Sequence, residues 1–350
     1  MRTVTINASR KYEVNIGKGL LDRCAEYLSI VLAPSKIALI TDTTVNKLYA
    51  ERAERSLIAG GYTVVRYVMK SGETSKSTEN YINILRFLAQ NGVTKSDGIV
   101  AIGGGVVGDI AGFAASTYMR GIAYIQMPTT LLAAIDSSVG GKTAIDLPEG
   151  KNLAGAFYQP YKVVCDIDTL SSLSEDVWKD GLAEGIKYGL LEGGALWSLI
   201  EKGVKEDIGA FIERCITAKK WYVENDETDA GIRMHLNLGH TLGHAIEKLS
   251  GYGISHGFAV AKGLALIAGI SNKRGLLADT EYRSIINVLA GYGFDISCGY
   301  SSGVLYNAIA ADKKILSGAI HLILLRAIGD AFIERVPLKN LEEYFNVCCD

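Results

Sequence analysis

The sequence predicts an α/β protein in two parts. Residues 1–175 read as a Rossmann-like domain with a mostly parallel sheet, and 176–350 as an all-α-dominated domain, with the active site in the interdomain cleft. Three observations carry this. At 350 residues the chain exceeds the size at which a single core keeps growing. In the first half, short β-branched runs alternate with stretches of i, i+3, i+4 apolar spacing, the pattern of strands joined by crossover helices. After VVCDIDTL (163–170) the strands stop and helical periodicity takes over.

The elements follow in order. Residues 3–7 and 11–16 read as an edge hairpin. KIALITD (36–42), YTVVRYVMK (62–70), GIVAIGGG (98–105) and AYIQMPTT (123–130) read as strands, being rich in Val, Ile and Tyr. VNKLYAERAERSLIAGG and STENYINILRFLAQNGV between them read as helices. Past a boundary near 170–178, SEDVWKDGLAEGIKYGLLEG, LWSLIEKGV and DIGAFIERCITAKKWYVEND predict helices. So do the histidine segment, HGFAVAKGLALIAGISNKRG, TEYRSIINVLAGYG and SSGVLYNAIAAD. AIHLILLRAIGDAFIERV closes the chain as a strand pair.

Composition narrows the function. A net charge of −2 with 21% charged residues gives no surface for a polyanion such as nucleic acid. None of the six cysteines forms a C-x-x-C, and the only close pair is the terminal Cys348-Cys349, so neither a disulfide framework nor a thiolate zinc site is indicated. The start, MRTVTINASRKYEVNIG, has charges and no apolar h-region; no signal peptide and a reduced cytoplasmic setting are expected. No apolar run reaches membrane-spanning length.

Two glycine-rich segments stand out. In IVAIGGGVVGDIAGFAAS, Gly103, Gly105 and Gly108 fit G-x-G-x-x-G between a strand and a helix. Lacking Cβ atoms, such glycines let a pyrophosphate approach backbone amides at a helix N-terminus. The same residues also serve a tight strand–helix turn with no ligand, and the motif sits on a later strand than in ordinary dinucleotide folds. PTTLLAAIDSSVGGKTAIDLPEGKNLAGAFYQP gathers Asp136, Lys142, Lys151 and Asn152, and reads as a loop that binds phosphate or hydroxyl groups.

Four of the five histidines, His235, His240, His244 and His256, lie in or beside LNLGHTLGHAIE (236–247). His240 and His244 are i, i+4 and share a helix face, a common zinc geometry. Glu247 adds a carboxylate, His256 a third imidazole, and Glu184 an acid inside an apolar helix, where an unpartnered glutamate is rare. Imidazole with carboxylate suits Zn²⁺ or Co²⁺. Spacing alone makes both His240 and His244 ligands and leaves open whether His244 moves protons instead. His235 and His321 read as structural or exposed.

GGGVVGD (103–109), YMRGI (118–122), PTTLLAAIDSSVGGKTAID (128–146), KNLAGAFYQP (151–160), GLAEGIKYG (181–189), RMHLNLGHTLGHAIE (233–247) and His256-Gly257 resemble, in order and over nearly the whole chain, the 3-dehydroquinate synthases. The resemblance implies conversion of 3-deoxy-D-arabino-heptulosonate 7-phosphate to 3-dehydroquinate and phosphate, the second step of the shikimate pathway. It implies NAD, one divalent metal (Zn or Co), and a homodimer in which Arg120 reaches the neighbouring subunit's site.

Carried over residue by residue, the resemblance makes Glu184, His240 and His256 the metal ligands. His244 becomes a polar residue near the leaving phosphate, with Lys142, Lys187, Asp136 and Asn237 also catalytic. Arg120, Asn152, Lys219, Arg233 and Lys313 or Lys314 are expected on substrate. Asp42, Glu73, Lys76, Gly104, Gly105, Asp109, Thr129, Thr130, Asp136, Lys142, Lys151 and Asn152 are expected around NAD. Two places depart from the family pattern: Thr169 stands where an aromatic is frequent, and SSLS (171–174) replaces a TLP-like string.

Three rivals are distinguishable. A sister sugar-phosphate cyclase such as 2-deoxy-scyllo-inosose synthase takes a substrate without a carboxylate, against which Arg233 and Asn237 argue. A metal-dependent alcohol dehydrogenase accumulates NADH and does not need so many cations. A catalytically silent scaffold has no reason to keep Glu184, His240, His256, Lys187, Lys219 and Arg233 together.

Overall fold

Alternate residues of the central strands feed two cores, one on each face of a single sheet. This computed structural model describes residues 1–310 and 318–346. Ile37 and Leu39 pack with Val100, Ile102, Ile125 and Met127 against Ala53 and Leu57 of the helix Glu51–Ala59. Ala38, Ile40, Ile99, Ala101 and Tyr124 point the other way, onto the helices Thr78–Gln90 and Gly105–Thr117. Strands buried on both faces in this way read as continuous apolar runs, as these do.

The strands are β1 (Arg2–Asn7), β2 (Lys11–Gly17), β3 (Lys36–Asp42), β4 (Thr63–Met69), β5 (Gly98–Gly103), β6 (Ala123–Pro128), β7 (Lys142–Leu147), β8 (Gly150–Phe157) and β9 (Lys162–Asp166). Seven form a sheet of order β1-β2-β9-β6-β5-β3-β4. It is parallel except for the β1–β2 hairpin at one edge, as the sequence predicts.

The segment 142–157, expected to be a loop, is an antiparallel ribbon of β7 and β8. Small residues conceal it: Gly155 lies where a Cβ would sit 2.2 Å from the Thr143 carbonyl oxygen, so close strand contact selects glycine against β propensity. Gly112 does the same for the helix beneath, since its Cβ would meet Thr143 Cγ2 at 2.5 Å.

The chain divides into two compact units, and the division falls inside the helix Glu175–Glu192. The first comprises Met1–Trp178 and Ile208–Thr228; the second comprises Lys179–Asp207 and the chain from Asp229 onward. The helix Ile208–Asn225, expected in the C-terminal domain, thus belongs with the sheet. Long-range contacts hold it there: Arg2 Nη1 to Glu213 Oε2 at 2.7 Å, Asn7 N to Glu224 Oε1 at 2.6 Å, and Ser9 N to Glu227 Oε2 at 2.7 Å. Pairs more than 200 residues apart leave no trace in local periodicity.

The second unit holds the helices Gly194–Lys202, His240–Leu249, His256–Lys273, Asp279–Gly291, Ser302–Ala310 and Leu338–Phe345. It also holds the expected strand pair, β10 (Ala319–Ala327) and β11 (Asp330–Pro337). The last of these helices follows directly on β11 and is not among those the sequence predicts. Glycines let two helices meet backbone to backbone: a Cβ on Gly263 would lie 2.0 Å from Gly239 O, and one on Gly243 3.0 Å from Ala259 O. Among the described residues no helix is long and apolar enough to cross a membrane.

Candidate active site

In the second unit, the stretch 232–249 is not one continuous helix, although His240 and His244 share one. A short 3₁₀ helix, Ile232–Asn237, ends at Leu238 and is followed by Gly239, whose φ of 77° is left-handed. A non-glycine residue is strained there. The helix His240–Leu249 then starts with His240 itself. His240 Nδ1 lies 3.1 Å from Leu238 O, and its Nε2 lies 3.1 Å from Glu184 Oε1. His256, the first residue of its own helix, puts Nε2 3.3 Å from the same Glu184 oxygen and Nδ1 3.5 Å from Glu247 Oε2. His244 completes the group: its ring centroid lies 5.3 Å from that of His240 and 5.6 Å from that of His256.

This donor set fits a divalent cation. An Nδ1–H given to Leu238 O leaves His240 Nε2 with a lone pair facing a carboxylate, which a cation reconciles. Donor spacings of 3.1 and 3.3 Å match adjacent ligands about 3.4 Å apart on a tetrahedral ion with bonds of about 2.1 Å. One ligand nitrogen from each of His240, His244 and His256 also lies within 4.8 Å of the others, so proximity alone admits His244.

Charge is compensated locally. Glu184 is 1% exposed. Burial opposes its charge, but Lys187 and then His240 and His256 hold its carboxyl well below the usual carboxylate range. Lys187 Nζ, on the next helical turn, lies 2.5 Å from Glu184 Oε2. Burial also works against charging His256, yet its contacts with Glu184 and Glu247 push it up to about 10. His244 is driven the other way, to about 4, first by desolvation among surrounding protein and then by the two neighbouring imidazoles, although its own side chain keeps solvent contact.

Arg233, 1% exposed, and the exposed Asn237 occupy the turn just before His240. His235 Nδ1 is 2.8 Å from Ile232 O, and His321 is exposed on β10. Lys313 and Lys314 lie outside the described residues.

In the first unit, the glycine motif joins β5 to the helix Gly105–Thr117, with Gly104 extended at the cap position. A Cβ on Gly108 would meet Gln126 Oε1 at 2.6 Å, and one on Gly104 would meet Thr130 Cγ2 at 3.1 Å, so packing alone already demands small residues. Thr129 N donates to Gly103 O at 2.9 Å. Thr130 Oγ1 accepts from Ala133 N at 3.2 Å, starting the turn of π-helix Ala133–Ser137 that carries Asp136.

Here the fold gathers predicted residues that sequence spacing could not connect. Lys76 is buried, with Nζ 2.5 Å from Asp109 Oδ2 and bonded to Asn152 Oδ1. Burial raises the Asp109 carboxyl against the pull of Lys76. Asn152 is left-handed at φ 56°, and its N–H donates to Asp146 Oδ1 at 2.8 Å. Lys219 Nζ donates to Asp136 O at 2.8 Å and also bonds the Asp136 carboxylate.

Other candidates show structural duties. Asp42 Oδ1 accepts from Thr44 N and Val45 N at 2.8 and 2.9 Å, capping a helix. Glu73, Lys142 and Lys151 are exposed. Arg120 is exposed in a turn where it and Met119 both adopt positive φ, 61° and 48°. Such strain persists only where the surroundings enforce it, and Lys95 Nζ does so by bonding Gly121 O. Nothing in the sequence singles out Lys95. At the departure from the family pattern, Tyr49 Oη donates to Thr169 O at 3.0 Å and bonds Ser172 Oγ at 2.7 Å.

Residues 66–180 match the model of the 3-dehydroquinate synthase N-terminal domain, and 181–315 that of its C-terminal domain. The chain is 41% identical over 355 residues to the 3-dehydroquinate synthase of Clostridium acetobutylicum, covering 99% of this chain and 100% of the relative. With that of Streptococcus sanguinis it shares 39% over 341 residues, covering 95% and 96%. A crystal structure of 2-deoxy-scyllo-inosose synthase complexed with carbaglucose-6-phosphate, NAD⁺ and Co²⁺ is similar at TM-score 0.87 and 27% identity, covering 99% of both chains. A 2-epi-5-epi-valiolone synthase from Streptomyces hygroscopicus with NAD⁺ and Zn²⁺ bound is similar at 0.86 and 26%, covering 98% of both. A probable glycerol dehydrogenase from Sinorhizobium meliloti, at 0.62 and 14%, covering 95% and 94%, shares the fold.

Proposed function

We infer the reaction from one premise: this chain belongs to the 3-dehydroquinate synthase family. It is a phosphate-eliminating carbon–oxygen lyase of aromatic amino acid biosynthesis. It converts 3-deoxy-D-arabino-heptulosonate 7-phosphate to 3-dehydroquinate and phosphate by transient oxidation, elimination, re-reduction and aldol closure. NAD⁺, when bound, would supply a reversible hydride acceptor for the substrate alcohol, with no net redox change. A divalent cation, Zn²⁺ or Co²⁺, when bound, orients the substrate hydroxyls and lowers the alcohol's pKa.

The observation that carries this reading is Glu184 Oε1 at 3.1 and 3.3 Å from His240 and His256 Nε2. Glu184, His240 and His256 hold the metal. His244, neutral with its pKa near 4, accepts and passes on a proton beside the leaving phosphate. Lys187 sets the charge of Glu184 and, with Asn237, Lys142 and Asp136, completes the catalytic group. Arg233, Lys219 and Arg120 bind the carboxylate and phosphate, anions that guanidinium and ammonium groups recognise through charge-assisted bonds, and Asn152 adds a neutral amide donor. Lys313 or Lys314 adds one more cation.

Gly104, Gly105, Asp42, Asp109, Thr129, Thr130, Asp136, Lys142, Lys151 and Asn152 would hold NAD, with Glu73 and Lys76 on the side of its adenosine half. Residues 1–175 form the NAD domain and 176–350 the metal and substrate domain, with the helix Ile208–Asn225 lent back to the first. The enzyme works in the cytoplasm as a homodimer in which Arg120 serves the neighbouring subunit's site. It uses neither nucleic acid nor membrane.

The test supplies purified protein with the heptulosonate phosphate, catalytic NAD⁺ and Zn²⁺ or Co²⁺. Equal amounts of phosphate and 3-dehydroquinate, no NADH build-up, and arrest by a chelator are expected. Turnover of glucose 6-phosphate instead would assign a sister cyclase, and net NADH from a simple alcohol a dehydrogenase.

A further inference from the structure

We propose that Asp180 is a positioning residue that sets His256 against Glu184 and thereby shapes the metal site. Asp180 lies on the same helix as Glu184, one turn earlier, so the two carboxylates share a face. Its Oδ1 accepts two hydrogen bonds, from Ser255 Oγ at 2.6 Å and from Gly257 N at 2.8 Å. These are the residues on either side of His256. One carboxylate oxygen therefore grips the chain both before and after the imidazole.

The same contact explains Gly257. A Cβ there would lie 2.3 Å from Asp180 O and 2.5 Å from Asp180 Cα, so backbone meets backbone and no side chain fits between. Ser255 stands at the cap position of the helix His256–Lys273 yet makes no cap bond within that helix. Its hydroxyl goes to Asp180, and Asp180 supplies the missing cap from another helix, satisfying an N–H that would otherwise lack a partner. The cap and the ligand thus belong to one rigid connection, Glu184–Asp180–Gly257–His256, all within the second unit. Such supports behind a metal ligand fix its orientation and carry about 10–100-fold in metal affinity.

The inference rests on the reading of Glu184, His240 and His256 as the metal-holding set. Its test compares wild type, Asp180→Ala, Asp180→Asn, Ser255→Ala and His256→Ala. The readouts are Co²⁺ affinity by chelator competition, the visible spectrum of the bound Co²⁺, and thermal stability of the metal-free proteins. Asp180→Ala is expected to weaken Co²⁺ about 10–100-fold and to change its spectrum. Asp180→Asn, which keeps the acceptor oxygen, is expected to restore both toward wild type. Ser255→Ala removes one of the two bonds and gives a smaller loss in the same direction, readable even if Asp180→Ala does not fold.

If Asp180→Ala and Ser255→Ala lower the melting temperature but leave Co²⁺ affinity and spectrum at wild-type values, Asp180 is only a helix cap and the proposal is overturned. If His256→Ala also binds Co²⁺ like wild type, the ligand assignment itself has failed. His256→Ala losing the metal while the Asp180 variants keep it would overturn the Asp180 role alone.

Discussion

The two charged centres of this protein solve opposite problems. In the second unit, one oxygen of Glu184 faces both His240 and His256 through the atoms that ligate metals, while its other oxygen is held by Lys187. In the first, cations already have partners: Lys76 with Asp109 and Asn152, Lys219 with Asp136. One centre is arranged to receive a cation. The other holds its lysines in place with carboxylates, and under the proposed function these lysines meet incoming anions. The difference teaches that a metal site can be read from ligand atoms of several elements converging on one carboxylate oxygen, whereas ion pairs show only how lysines are held in place.

The comparison breaks most readily at its metal end. We expect His240→Ala to lose metal and activity together, with kcat/KM down about 10³-fold or more, the rate equivalent of several kcal/mol of lost Lewis-acid stabilisation. Metal content and steady-state rates on the same preparation check this. Loss of activity with metal retained would break the link between them.

At the anion end, Lys76→Met leaves Asp109 without its ammonium partner. Removing one member of a buried pair costs about 3–5 kcal/mol; with Asp109 still one-fifth exposed, about 2 kcal/mol is expected. Denaturant midpoints measure it, and the double variant Lys76→Met/Asp109→Asn should recover part of the loss. Arg233→Ala should raise KM about 10–100-fold with a smaller change in kcat, the loss of a charge-assisted contact of about 1.5–3 kcal/mol. Its burial adds a stability cost that thermal melts separate from the kinetic one.

Protons sharpen the contrast. His256 is raised to about 10 in the metal-free protein, so it is charged at neutral pH and must lose a proton to ligate. The sign follows: acidification below the raised value favours the proton, so metal affinity falls by about tenfold per pH unit for one displaced proton. Calorimetry in buffers of different ionisation enthalpy should show about one proton released per metal at pH 8. No release would mean that His256 is not a ligand, or that Glu184 and Glu247 do not hold its charge.

The fold was legible where burial governs periodicity. β3, β5 and β6 run apolar because helices cover both faces, and their bounds match the expected strands within a few residues. The ribbon β7–β8 was not legible, because Gly155 and the residues around it are chosen for close backbone approach rather than for strand propensity. The return of Ile208–Asn225 to the first unit depends on Glu213, Glu224 and Glu227 reaching the N-terminal hairpin, and no local pattern reports that. At the site, spacing brought His240 and His244 to notice. The separate roles of His244 and His256 came from the family resemblance. The Asp180 contact and the Lys76–Asp109–Asn152 group exist only in the folded chain, since helix contacts and pairs 33 and 76 residues apart have no sequence signature.

The central claim is the division of labour between His256 and His244, and metal content tests it most directly. After dialysis against trace Zn²⁺, the account predicts about one metal per chain in His244→Ala, with turnover slowed about 10²–10⁴-fold as for a lost acid–base group, and almost none in His256→Ala. An empty site in His244→Ala with a full one in His256→Ala would contradict it.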